Sequence, residues 1–128
     1  MMAKNQASSN TGTRSPIVMS GTHEGIAWEI RRVMWGALNG YARLTETHPY
    51  RGIDLTHEQK FLVHGGITYQ IDDGWIGFDT LHAGDEWPEM PKFMKRNDYL
   101  RTRWTSEMVV REVHNLCEQI AKTRESMS

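Results

Sequence analysis

Phe61-Leu62-Val63-His64-Gly65-Gly66-Ile67-Thr68-Tyr69, then Asp72-Asp73-Gly74, then Trp75-Ile76-Gly77-Phe78-Asp79 is the stretch whose reading decides the fold. Two runs rich in β-branched and aromatic residues flank a short Asp-Gly connection, which is the chemistry of a β-hairpin. The first strand is interrupted by a Gly pair. Glycines inside strands mark a bulge or a close approach by another backbone or a ligand, so Gly65, Gly66 and Gly77 carry information.

Outward from the hairpin, Val109, Val113, Leu116, Cys117 and Ile120 fall on one stripe of a helix expected from about Thr105 to Lys122, with Thr105 or Ser106 as its cap. Ile26, Ile30, Val33, Met34, Ala37 and Leu38 also recur three and four apart. That spacing predicts a first helix over Thr22–Asn39, capped by Thr22, stopped by Gly40, with Trp28 and Trp35 on a shared face. Residues 45–55, with His48-Pro49 and Gly52, and residues 80–91, with Pro88 and Pro91, read as loops. Residues 1–20 offer little to bury and read as a flexible tail before a single domain over 21–128. The expected fold class is therefore α+β, a small antiparallel sheet built around one hairpin and packed by two helices.

The chain has 128 residues, enough for one core without a covalent staple. Fifteen Lys and Arg balance 16 Asp and Glu, which excludes a polyanion-coating protein driven by net charge. One cysteine forms no internal disulfide, and no stretch has the roughly 20 apolar residues of a membrane span, so a reducing cytoplasm is the expected setting. The balance conceals a local dipole. Asp72 to Glu89 holds six acids and no Lys or Arg, whereas Lys92 to Arg103 holds five basic residues against Asp98.

Side chains capable of metal or proton chemistry gather at His48, His64, Asp79, His82 and Asp85. Two chemistries would use them. Imidazole and carboxylate are ordinary ligands of zinc, manganese or iron, and such a set would leave positions open for water and substrate, although the spacing matches no established metal signature. Without metal, His64 or His82 held by Asp79 serves as a general base, with a phosphate cradled by the Gly65 and Gly66 amides and His48 and Asp85 as further ligand contacts. The plain alternative is that Asp79 and Asp85 accept loop amides and the histidines only support the fold.

Gly40-Tyr41, His48-Pro49, His64-Gly65-Gly66-Ile67-Thr68-Tyr69 and Gly77-Phe78-Asp79-Thr80-Leu81-His82-Ala83-Gly84-Asp85 resemble the blocks of a functionally uncharacterised family of small phage and prophage proteins. The resemblance covers about residues 40–88. Thr47 stands where the family has glycine, and a longer insertion between the strands is lacking. The resemblance implies a phage accessory protein in the host cell and assigns no reaction.

The expected function is binding of a small polar, phosphorylated or nucleotide-like ligand, or of a divalent metal, at His64, Asp79, His82 and Asp85, with hydrolysis as the reaction such a site could run. The second expectation is a non-catalytic inhibitor of a host defence or replication protein. Its contacts would be Trp87, Tyr99, Arg101, Arg103 and Trp104, a set that would also suit nucleic acid or self-association.

Overall fold

Ile26, Trp28 and Ile30 are buried on one side of an extended chain whose other side carries Ala27, Glu29 and Arg31, the two-residue period of a strand. The computed structural model describes residues 15–95 and 101–126. In chain order it contains β1 (Ile17–His23), β2 (Ile26–Arg32), β3 (Leu38–Arg43), β4 (Tyr69–Gln70), β5 (Trp75–Phe78), β6 (Asp85–Glu86), β7 (Thr102–Arg103) and α1 (Ser106–Ser126). The first five strands form one sheet in the order β1-β2-β3-β5-β4, with every pairing antiparallel. β6 and β7 form a small parallel ladder. The fold is α+β.

The helix expected over Thr22–Asn39 is absent. Its place is taken by the end of β1, all of β2, a single 3-10 turn and the start of β3. A spacing of four is an even number, so Ile26 and Ile30 share a face in a strand as well as in a helix. The deciding signal is Glu24-Gly25, whose φ values of 53° and 76° make the two-residue turn of a tight hairpin. Trp35 and Gly36 repeat the device at φ 61° and 73° and send the chain back as β3. Thr22 therefore caps nothing, and Trp28 lies in a strand while Trp35 sits in a turn.

α1 follows its pattern. Thr105 caps it, the Oγ1 accepting from the Met108 amide at 3.3 Å. Val109, Val113, Leu116, Cys117 and Ile120 are fully buried against Ile26, Ile30, Ala42, Ile76 and Phe78 of the sheet. Burying each large aliphatic or aromatic side chain contributes about 1.5–3 kcal/mol, so this single layer of contacts forms the core. Gly40, expected to end a helix, instead lets α1 approach β3, since a Cβ there would run into the Val113 methyl and stand 2.7 Å from Phe78 Cζ.

The hairpin is present, with Ile71 donating to Trp75 O at 3.1 Å, but its first strand is only Tyr69–Gln70. Gly65 and Gly66, at φ 70° and 78°, turn the preceding chain out of the sheet. It crosses the helix instead, where Leu62 N donates to Gln119 Oε1 at 2.8 Å and His64 N to Glu112 Oε2 at 2.6 Å. Of the expected tail, residues 1–14 lie outside the described residues, and residues 17–20 belong to β1. No helix among the described residues is long and apolar enough to cross a membrane.

Replacing Gly40 with alanine should lower stability by about 1–3 kcal/mol in urea unfolding, the cost of overpacking where no side chain can yield cheaply. The same replacement at exposed Gly52, where a Cβ meets nothing within 4 Å, tests the strain of its positive φ alone.

Candidate metal and ligand site

β5 ends where Asp79 leaves the sheet, and the loop that follows folds back on itself in three-residue steps. Asp79 Oδ1 accepts from Leu81 N at 3.0 Å and Oδ2 from Thr68 Oγ1 at 3.1 Å. Asp85 N donates to His82 O at 2.9 Å, and His82 N returns a bond to Asp85 Oδ2 at 2.8 Å. The β6–β7 ladder then sets Trp104 beside Asp85, whose Oδ1 accepts from the indole Nε1 at 2.8 Å. His64 Nε2 lies 2.9 and 3.0 Å from the two carboxylate oxygens. The Asp85 side chain is 2% exposed, so its charge rests on these three partners in place of water.

The Gly pair explains how His64 and His82 meet. A Cβ on Gly65 would collide with the His82 imidazole, and its φ of 70° suits glycine alone. With that hydrogen in place the rings of His64 and His82 approach to 5.6 Å, edge to face, and His64 packs edge-on against Trp104 at 4.8 Å. His82 Nδ1 lies 3.3 Å from Asp79 Oδ1 and 3.5 Å from Asp85 Oδ2. It is nevertheless buried and aligned for no hydrogen bond.

One donor atom each from His64, His82 and Asp85 falls within a set no wider than 4.8 Å. Two donors held at about 2.1 Å from a common ion stand roughly 3.0–3.4 Å apart for right-angle to tetrahedral geometry. His64 Nε2 stands 2.9 Å and His82 Nδ1 3.5 Å from the Asp85 carboxylate, in or beside that range, and the whole donor set spans no more than 4.8 Å. Asp79 stands close enough to His82 to add a fourth ligand or to orient the ring. Two imidazoles and one carboxylate suit zinc, manganese or ferrous iron and leave positions free for water and a ligand.

Other expected residues stand apart from this cluster. His48 is a buried brace: Nε2 lies 3.0 Å from Ile120 O and Nδ1 accepts from Tyr50 N at 3.0 Å. Both ring nitrogens are consumed, so it is no ligand contact. Gly66 N donates to Val63 O at 2.9 Å, so the Gly pair does not present two free amides to a phosphate. Trp87 and Trp104 are core residues, stacked at 6.3 Å, and Trp87 Nε1 is bound to Thr80. Arg101 pairs with Glu86 at 2.9 Å, Arg103 is largely exposed, and Tyr99 lies outside the described residues.

Sequence reasoning missed Glu112, which anchors the His64 backbone, and the role of Trp104 in fixing Asp85. Glu112 is 48 residues from its partner and reads as an ordinary helix-surface acid, so no local pattern could have disclosed it. No protein-family model, curated protein or solved structure matches this chain.

Burial holds the His48 pKa below its usual value, with the Ile120 carbonyl opposing. The unfolded chain therefore takes up the proton first, and the His48 contribution is complete above about pH 6.5 and lost as pH falls below it. His48→Ala should cost about 1–3 kcal/mol at pH 7.5 in urea unfolding. It should also flatten the fall in stability between pH 7 and pH 5.

Proposed function

We propose that this chain is a small phage-type accessory protein of the host cytoplasm whose His64, His82 and Asp85 hold a divalent transition metal beside a binding site for a small polar, phosphorylated ligand. The observation that carries the reading is His82 Nδ1, a buried nitrogen facing two carboxylates without a hydrogen bond to either. A cation shared by this nitrogen and a carboxylate would give the buried atom the partner it lacks. The resemblance of the His-Gly-Gly and Gly-Phe-Asp-x-x-His-x-Gly-Asp blocks supports the phage setting. With three protein donors the ion keeps positions for water and ligand, and hydrolysis of a bound phosphate ester is the reaction such a centre would run.

A hydrogen-bonded Asp85–His64 pair acting alone as a general base is weaker, because it gives His82 no task. The inhibitor reading retains less support, since Trp87 is buried in the core and Trp104 shows only a narrow edge.

Cobalt(II) titration of metal-stripped protein, followed by visible absorption and calorimetry, tests the proposal. The wild type should bind one ion, and His82→Ala and Gly65→Ala should each weaken binding at least tenfold, the second by displacing the ring without removing a donor. His82 is partly exposed, so its alanine variant is the one expected to stay folded; circular dichroism checks this. Equal cobalt affinity in wild type and folded His82→Ala overturns the reading.

A further inference from the structure

Met108, Arg111, Glu112 and Asn115 recur at the three- and four-residue steps that align side chains on one helix face. That face lines a groove of about 530 Å³ together with Thr102, Trp104 and His64. The groove thus shares a residue with the metal cluster. Its size lies within the range of small-molecule sites, and Trp104 and Met108 supply apolar lining.

The charges along the groove are unequal in what they still lack. Glu112 Oε2 accepts from His64 N at 2.6 Å and Oε1 from Asn115 Nδ2 at 3.4 Å. Asn115 Nδ2 also reaches Leu62 O at 3.0 Å. His64 Nε2 is turned to Asp85, which leaves Nδ1 for a ligand. Arg111 is the lining side chain with a full charge and, among the described residues, no ion pair or hydrogen bond. The formal charges of Arg111 and Glu112 balance, but the carboxylate already has hydrogen-bond partners while the guanidinium keeps its donors for a ligand.

We propose that this groove binds a small phosphate monoester, with Arg111 clasping the phosphate through its planar fork, the organic part lying along Met108 and Trp104, and His64 at the metal end. The inference rests on the reading of the His/Asp cluster as the reacting centre and moves the anion site from the Gly pair to the helix. Arginine suits a phosphate better than lysine here, since bidentate N–H···O bonds fix orientation as well as charge. Arg111 is a binding residue in this scheme and is not among the proposed ligands of the ion.

Phenyl phosphate is the probe, titrated by NMR into full-length protein stripped of metal, so that groove and ion are measured separately. Amide shifts should centre on residues 102–115 and His64. Arg111→Gln should weaken binding at least tenfold, Arg111→Lys should recover part of the loss, and cobalt affinity should be unchanged in both variants. Arg111 is exposed, so loss of folding does not obscure the result. Undiminished phenyl phosphate binding by Arg111→Gln, or no binding by wild type at millimolar concentration, overturns the groove assignment. Cobalt binding without phenyl phosphate binding sinks this inference alone; the reverse sinks the metal reading and leaves the groove.

Discussion

Everything in this fold depends on how closely one helix can lie on one sheet. α1 is the only long helix among the described residues, and the buried faces of β2, β3 and β5 have no other cover of regular structure. Gly40 sets the separation: with no Cβ between Val113 and Phe78, the helix settles onto the middle strands and its whole apolar stripe becomes inaccessible to water. Position 40 thus converts an amphipathic pattern into a core. The turn over 61–68 then fixes the helix from above through Gln119, Asn115 and Glu112.

That fixation is what assembles the cluster. His64 rides on a segment tied to α1, Trp104 on the link between β7 and α1, and His82 and Asp85 on the loop leaving β5 and the start of β6. Three parts of the chain converge on one carboxylate. A 2% exposed Asp side chain is costly unless its hydrogen bonds are complete, so Asp85 joins these parts whether or not an ion is bound. The proposed chemistry and the stability of the fold therefore draw on the same residue.

Much of this was legible. The stripe of α1 is long and unambiguous, the Asp-Gly turn announces its hairpin, and the steps from Asp79 to His82 to Asp85 place three polar groups in one short loop. The failures have physical causes. Ile26 and Ile30 satisfy both periods, and only the positive φ at Glu24-Gly25 and Trp35-Gly36 reveals strands. Gly65 and Gly66 form a turn ahead of a short strand instead of bulging a long one. His48 looked like its neighbours in composition, yet its partner Ile120 lies 72 residues away, and a long-range bond of that kind leaves no local trace.

Cys117 shows how complete the seal between α1 and β2 is. Its thiol lies against Ile26 O at 3.9 Å, and burial pushes its pKa up to about 12. Near neutral pH it is a protonated, shielded sulfur, neither a nucleophile nor a metal ligand. Its chemistry returns only when helix and strand part. The chain therefore carries a built-in clock: the pace at which a thiol reagent reaches position 117 counts the excursions in which the core comes open.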